Sequence, residues 1–104
     1  IMKKIIKVVI ENLEDAEFIF RGIMTLRDYI HDDLELAIDV MKDDGYRTDG
    51  VELKKPYVRN GKTWINMHVN DPEKIDMDIL MRRVNDVVVA ADRFFKPHIY
   101  IEQD

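Results

Sequence analysis

Residues 51–69 read VELKKPYVRNGKTWINMHV, and this stretch decides the fold. Two segments rich in β-branched and aromatic residues, Val51–Val58 and Thr63–Val69, lie on either side of Asn60-Gly61. Asn and Gly both tolerate the positive φ that a type I′ turn requires. The stretch therefore predicts a β-hairpin.

Apolar and mixed side chains alternate along the second strand of this hairpin. The apolar set, which we expect to face a core, is Ile65, Met67 and Val69, and the mixed set is Trp64, Asn66 and His68. A two-residue turn places Tyr57 opposite Trp64, but the same register carried further would turn Val51 and Leu53 away from the core. One extra residue reverses the faces, so we predict a β-bulge near Lys54-Lys55-Pro56, where proline has no N–H to leave unpaired.

The chain before the hairpin predicts a strand and a long helical segment. Lys3–Ile10 is apolar on one face and half-apolar on the other, which is typical of a central strand. Asn12 is a candidate helix cap, and apolar residues follow at helical spacing from Ala16 to Met41. We favour a break near His31-Asp32, because Asp32 with Glu35 resembles a capping box. One continuous helix is the alternative.

The chain after the hairpin predicts a helix and a strand. Asp71 before Pro72 is a typical helix start, and an apolar stripe extends from there to Phe95. Lys96-Pro97 ends this helix, and the alternation over His98–Glu102 predicts the last strand.

The resulting order is β-α-β-β-α-β, within a single α+β domain over residues 1–104. Right-handed crossovers in this order predict a four-stranded antiparallel sheet of the ferredoxin-like split βαβ kind, with two long helices on one face. The alternative is a five-element meander that dimerises through a sheet edge. The opposite face of the sheet is expected to be bare.

Composition excludes several classes of function. The chain has no cysteine and no serine, so disulfides, thiolate metal sites and the commonest hydrolase nucleophiles are absent. No apolar run approaches the length of a membrane span, and no secretory signal pattern is recognisable. We therefore expect a cytoplasmic, non-enzymatic protein with no cofactor, no metal and no membrane partner.

The net charge of −5 hides a marked asymmetry. Between Glu11 and Asp44, eleven acidic residues against three basic ones give −8. Between Gly45 and Val69, five basic residues against two acidic ones give +3. The first half is thus acidic, and the hairpin is locally basic.

The predicted bare sheet face is the first candidate site. Its aromatic and cationic members are Tyr57, Arg59, Lys62, Trp64, His68 and Tyr100. Rings interleaved with cations can stack bases and neutralise phosphates, as in proteins that bind single-stranded nucleic acid on a sheet. A surface that contacts a second subunit or a partner protein is the interpretation we prefer.

The acidic segment is the second candidate site. Carboxylates that recur every three or four residues would form a ridge along a helix, and its members are Asp28, Asp32, Glu35, Asp39 and Asp43. Such a ridge could bind a basic partner or could only solubilise the chain. His31 and Glu35 have a spacing that could suit a metal, but it is common by chance, and we expect no metal site.

These patterns predict a small binding protein that regulates or inhibits a protein partner, in the form of a homodimer. Single-stranded nucleic-acid binding is the second hypothesis, and a small metal-dependent enzyme is the third. Self-association is expected because a helix over Pro72–Phe95 would span roughly 36 Å, whereas eight-residue strands span about 26 Å. Apolar turns of such a helix would extend beyond the sheet.

Overall fold

The computed structural model describes residues 3–11, 18–19, 24–95 and 97–102. Two α-helices, seven strands and a short 3₁₀ helix lie within these ranges. In chain order they are β1 (Lys4–Glu11), β2 (Phe18–Ile19), β3 (Met24–Thr25), α1 (Leu26–Asp43), β4 (Val51–Leu53), β5 (Tyr57–Arg59), β6 (Lys62–Val69), the 3₁₀ helix (Pro72–Lys74), α2 (Met77–Phe94) and β7 (Ile99–Ile101).

The main sheet has five strands, and all of its pairs are antiparallel. The strand order is β4-β6-β1-β7, and β5 also pairs with β6. Strand β1 lies between β6 and β7, so its predicted central position is confirmed, as is the α+β class. Strands β2 and β3 form a separate two-stranded ribbon.

The predicted hairpin turn is confirmed by its backbone angles. Asn60 has φ of 55° and Gly61 has φ of 74°, both in the left-handed region. Because an asparagine and a glycine adopt this region at low cost, the turn closes in two residues and fixes the pairing of β5 with β6.

The predicted bulge is confirmed by the register. Leu53 lies opposite Met67, and Tyr57 lies opposite Trp64. From Leu53 to Tyr57 the chain advances four residues, whereas from Met67 to Trp64 on the partner strand it advances three. One extra residue therefore lies within Lys54–Pro56, as in a β-bulge. The irregularity divides this arm into β4 and β5, and the sheet has five strands where we predicted four.

The first predicted helix is wrong in its extent and in its break. Helix α1 begins at Leu26, and Thr25 caps it by accepting a 3.2 Å hydrogen bond from the Asp28 N–H. The helix continues through His31 without interruption to Asp43. Residues 18–19 and 24–25 are strands, because antiparallel pairing there overrides the helical apolar spacing. The predicted cap at Asn12 lies outside the described residues.

The second predicted helix begins later than expected. Asp71 does accept a hydrogen bond from the Glu73 N–H, but it caps the 3₁₀ helix, which ends at Lys74. Helix α2 starts at Met77 and has 18 residues, so it is about 27 Å long. Its length is within about 1 Å of that expected for the eight-residue strands β1 and β6, so the large difference in length on which we based the expected overhang is absent.

One cluster of buried side chains joins both helices to one face of the sheet. Burial alternates strictly along β6, with Thr63, Ile65, Met67 and Val69 buried. The three apolar ones, Ile65, Met67 and Val69, pack with the buried faces of the helices, which include Leu26, Ile30, Leu34, Met41, Leu80, Val84 and Val88. Among the described residues, no helix is long and apolar enough to cross a lipid bilayer.

Candidate interaction surfaces

Three of the predicted sheet-face residues form a cluster at the tip of the hairpin. Tyr57 lies opposite Trp64, and the Trp64 indole N–H donates a 3.2 Å hydrogen bond to the Arg59 carbonyl. The Asn66 amide donates to the Tyr57 hydroxyl at 3.1 Å. These bonds hold both rings in fixed positions. A cleft of about 230 Å³ lies beside them, lined by Lys7, Tyr57, Arg59, Asn60, Trp64 and Glu102.

The cationic side chains in and around this cluster differ in whether they form ion pairs. Lys54, at the bulge, forms a 2.9 Å ion pair with Glu52. Within the described parts of the chain, neither Lys7 nor Arg59 forms an ion pair. Two cations beside the rings therefore remain available to an anion.

Lys62 and Tyr100 belong to a second group, which we call the Tyr100 brace. The Tyr100 hydroxyl donates to Glu11 Oε1 at 2.9 Å, and Lys62 Nζ lies 3.3 Å from both the tyrosine oxygen and Glu11 Oε1. The hydrogen bonds from Tyr100 and Lys62 lower the pKa of Glu11, and the same contacts raise the pKa of Lys62. The brace ties β7, β1 and β6 together.

The brace continues to the end of helix α2. The ring of His98 stacks on Tyr100 with centroids 4.9 Å apart. Asp92 Oδ1 accepts a 2.9 Å hydrogen bond from the Ile99 N–H and lies 3.0 Å from His98 Nδ1. The bond from Ile99, followed by that from His98, lowers the pKa of Asp92. These contacts fix the start of the edge strand.

His68 lies apart from the other sheet-face residues. It pairs with Ile5 on one side and Glu52 on the other, at the end of the sheet away from the hairpin tip. Its Nδ1 is buried and has no hydrogen-bond partner among the described residues. Burial lowers the pKa of His68, and the nearby Lys3 and Lys54 lower it further.

The sheet face opposite the helices is less bare than we predicted. Val9 lies on it but is fully buried, because Trp64 pairs with it on one side and Tyr100 on the other. Trp64 itself is half-buried, whereas Tyr57 is 40% exposed. The structure thus separates the six predicted residues into the tip cluster, the Tyr100 brace and His68.

The acidic ridge is continuous because α1 is unbroken. All five of its predicted members are exposed, and they follow one face of the helix: Asp28, Asp32, Glu35, Asp39 and Asp43. The buried positions Ile30, Leu34 and Met41 lie on the opposite face. Asp32 lies 3.9 Å from His31 Nδ1, and the other four form no ion pair with the described residues. The ridge therefore presents a row of carboxylates to solvent.

The two helices lie side by side and antiparallel. The rings of Tyr29 and Phe95 meet edge to face with centroids 5.5 Å apart, and Arg83 forms a 3.3 Å ion pair with Asp44. These contacts join the start of α1 to the end of α2, and the end of α1 to the start of α2.

An exposed apolar strip, the helix seam, follows the line between the helices. Leu36 and Val40 lie seven and eleven residues after Tyr29, so they share its flank of α1. On α2, the flank of Arg83 carries Val87, Ala90 and Phe94, which lie four, seven and eleven residues after it. The exposed fractions are 58% for Leu36, 36% for Val40 and 83% for Phe94. Large apolar side chains this exposed, in one strip, are typical of an interaction surface.

A further cleft, of about 540 Å³, lies at the start of α2 and is lined by Arg47, Asp76 and Arg82 among others. Arg47 lies at its edge, where its backbone N–H and guanidinium bond Asp76 at 2.7 and 3.1 Å. These bonds lower the pKa of Asp76. The Arg47–Asp76 bonds hold the loop before β4 against helix α2. The Asp76 carboxylate and the Arg47 guanidinium neutralise each other.

Sequence reasoning missed Glu11 and Glu102, and it anticipated the helix seam only in expecting exposed apolar turns on the helix over Pro72–Phe95. Glu11 could have been found, since it continues the alternation of Lys7 and Val9 along β1. The chain matches no known protein family, and we found no significant similarity to a characterised protein or to a solved structure.

Proposed function

We propose that this chain is a non-enzymatic binding module that regulates or inhibits a protein partner through its helix layer. The observation that carries the proposal is the position of the helix seam beside the acidic ridge on one exposed face. Leu36 and Phe94 are 58% and 83% exposed there.

A face of this composition fits a particular kind of protein surface. Burial of the seam would supply the favourable free energy, at about 25 cal/mol per Å² of apolar area. The ridge would select a partner by charge and speed its encounter, because exposed charges contribute more to specificity and association rate than to affinity. The partner should therefore carry an apolar centre with basic residues beside it.

Site-specific photocrosslinking tests this proposal. A photoreactive amino acid at Leu36 should capture a protein, whereas the same residue at Val58, which is 64% exposed on the hairpin, should not. The affinity of the captured protein should then fall when Asp32, Glu35 and Asp39 are changed to Lys. Equal capture from both positions, or unchanged affinity in the lysine variant, would contradict the proposal.

The second candidate function is single-stranded nucleic-acid binding by the hairpin tip. It is favoured by Lys7 and Arg59, which form no ion pair with the described part of the chain and lie beside Tyr57 and Trp64 around a cleft of about 230 Å³. Stacking on such rings contributes about 1–3 kcal/mol per base. Fluorescence anisotropy of a labelled mixed-sequence single-stranded RNA would test it. Binding that weakens on Tyr57→Ala and falls with added salt would favour this function over the first.

We propose that the fold is the ferredoxin-like arrangement expected from the sequence. The order β4-β6-β1-β7 supports it if β4 and β5 are the two halves of one bulged strand. In that arrangement the helix layer and the sheet face point in opposite directions, so the two candidate functions can be tested independently.

A further inference from the structure

We infer that the partner of the helix layer is a second copy of this chain, paired about a twofold axis parallel to α1 and α2. The inference rests on the proposed function, because it names the occupant of the same surface. The chain's own helix layer meets the description of the partner. It has an apolar seam, and two exposed arginines, Arg82 and Arg93, lie on the outer face of α2 and form no ion pair with the described residues.

The position of the axis follows from charge. A twofold axis that lies across the helices would stack each α1 on the partner's α1 and bring two acidic ridges together. An axis parallel to the helices, along the seam, places α1 over the partner's α2 instead. Since like charges in contact cost several kcal/mol at an interface, the parallel axis is the favoured one.

The spacing of the charged residues agrees with this arrangement. The contacts Tyr29–Phe95 and Asp44–Arg83 fix which residues of the two helices lie at the same height. Asp32 then lies about level with position 93, and Asp43 lies level with position 84, about 3 Å along the helix axis from Arg82. Because rotation about a parallel axis leaves heights unchanged, Asp32 would face the partner's Arg93, and Asp43 would face the partner's Arg82.

One pair in this register is unfavourable. Asp39 lies level with Asp86, which is also exposed. Two opposite-charge pairs therefore accompany one like-charge pair on each side of the axis. The axis across the helices would instead face five carboxylates with five carboxylates.

The seam would form the centre of the dimer. Phe94, 83% exposed, lies on the seam, so an axis along the seam brings each Phe94 to the partner's Phe94. Two helices of about 27 Å, lying about 9 Å apart, present a face of roughly 500 Å². Two such faces would bury roughly 1,000 Å², which reaches the lower end of specific interfaces.

Light scattering at tens of micromolar should give the mass of a dimer. Phe94→Glu should raise the dimer dissociation constant by about thirtyfold or more, because it removes the aromatic side chain that contacts its own copy across the axis and brings two carboxylates together there. Val58→Glu, a matched change at an exposed apolar residue away from the helices, should leave it unchanged. Circular dichroism would confirm that both variants are folded. A monomer, or a dimer that is indifferent to Phe94→Glu, overturns the inference.

Charge-swap variants and an introduced thiol test the position of the axis. Arg82→Glu and Asp43→Arg should each weaken the dimer, and the double variant should restore it. The chain has no cysteine, so Phe94→Cys introduces a single thiol that should form a disulfide between copies. An axis across the helices would separate these thiols, and failure of both the restoration and the disulfide overturns the proposed pairing. A monomer whose Leu36 photocrosslinks to another protein would overturn the dimer and leave the proposed function standing.

Discussion

The Tyr100 hydroxyl donates a 2.9 Å hydrogen bond to Glu11 Oε1, so a side chain ties the edge strand β7 to the central strand β1. Strand β7 has three residues, and its backbone pairing with β1 covers a short register. The side-chain bond therefore adds to a weak backbone attachment, and Lys62 extends it to β6.

Replacing Tyr100 with Phe should lower the free energy of unfolding by about 1 kcal/mol, since a typical hydrogen bond contributes 0.5–1.5 kcal/mol. Urea denaturation followed by circular dichroism would measure the change. Tyr46→Phe is the matched control, because Tyr46 is 38% exposed and forms no such bond with the described residues. A loss of equal size in the control would show that the brace contributes nothing specific.

The same variant should alter the acid dependence of stability. The hydrogen bonds from Tyr100 and Lys62 lower the pKa of Glu11 below 4.5, so their stabilisation is present above that pH and is lost as the pH falls through the lowered value. The stability difference between the wild type and Tyr100→Phe should therefore shrink as the pH falls below 4.5 towards the lowered pKa of Glu11. A difference that is constant with pH would show that the carboxylate is not involved.

Trp64→Ala should destabilise the fold less than a change in the core. Trp64 is half-buried on the sheet face opposite the helices, and it helps to cover Val9, so we expect a loss of about 1–2 kcal/mol. Ile65→Ala, one residue further on the buried face, should cost about 2–5 kcal/mol. Trp64 is the single tryptophan, so circular dichroism must replace fluorescence in the unfolding measurement. Equal losses in the two variants would mean that Trp64 is part of the core.

Gly61→Ala should destabilise the hairpin turn. Gly61 has φ of 74°, and no atom lies within 4 Å of a Cβ added there, so the cost comes from the backbone and should be about 1 kcal/mol. Asn60→Gly, where φ is 55°, should change the free energy of unfolding by less than about 0.5 kcal/mol. Thermal or urea unfolding would compare the two, and a neutral Gly61→Ala would contradict the type I′ turn.

Changing Asp32, Glu35 and Asp39 to Lys should leave the fold intact. These side chains are exposed, and surface substitutions usually change stability by less than about 0.5 kcal/mol. The variant should associate more slowly with any partner that carries basic residues, and the dependence of the rate on salt should decrease. Stopped-flow association at two ionic strengths would measure this effect. Unchanged association rates would show that the acidic ridge only solubilises the chain.

His68 should make stability fall as the medium becomes acidic. Burial, followed by Lys3 and Lys54, lowers its pKa below 6.5, so the unfolded chain binds a proton first when the pH drops below that value. Stability is then fully retained above 6.5 and decreases as the pH falls towards the folded-state pKa. His68→Gln should flatten this part of the pH profile, while the loss due to the carboxylates below about pH 4.5 persists. An unchanged slope in His68→Gln would contradict the assignment.

Local sequence signals were sufficient wherever neighbouring residues determine the conformation. Asn60-Gly61 predicted the turn because few residue pairs accept two positive φ angles, and the misdirected Val51 and Leu53 predicted the bulge. Alternation along residues 63–69 predicted which side chains are buried. The carboxylate spacing likewise predicted the ridge, because helical periodicity is a local property.

Other features depended on contacts between distant parts of the chain. Residues 18–19 and 24–25 pair as a ribbon in a segment whose spacing suits a helix, and only that pairing moves the start of α1 to Leu26. The Tyr100 brace joins residues 11, 62 and 100, which no local pattern connects.

The amino-acid sequence by itself determined the turn, the bulge, the buried faces and the charge of each half, because each depends on residues within a few positions of one another. Only the tertiary structure decided that Val9 is covered and that Leu36 and Phe94 remain exposed on one seam. Burial of a side chain depends on which elements pack against it. The apolar spacing along one helix does not show which of its apolar residues the neighbouring helix will cover.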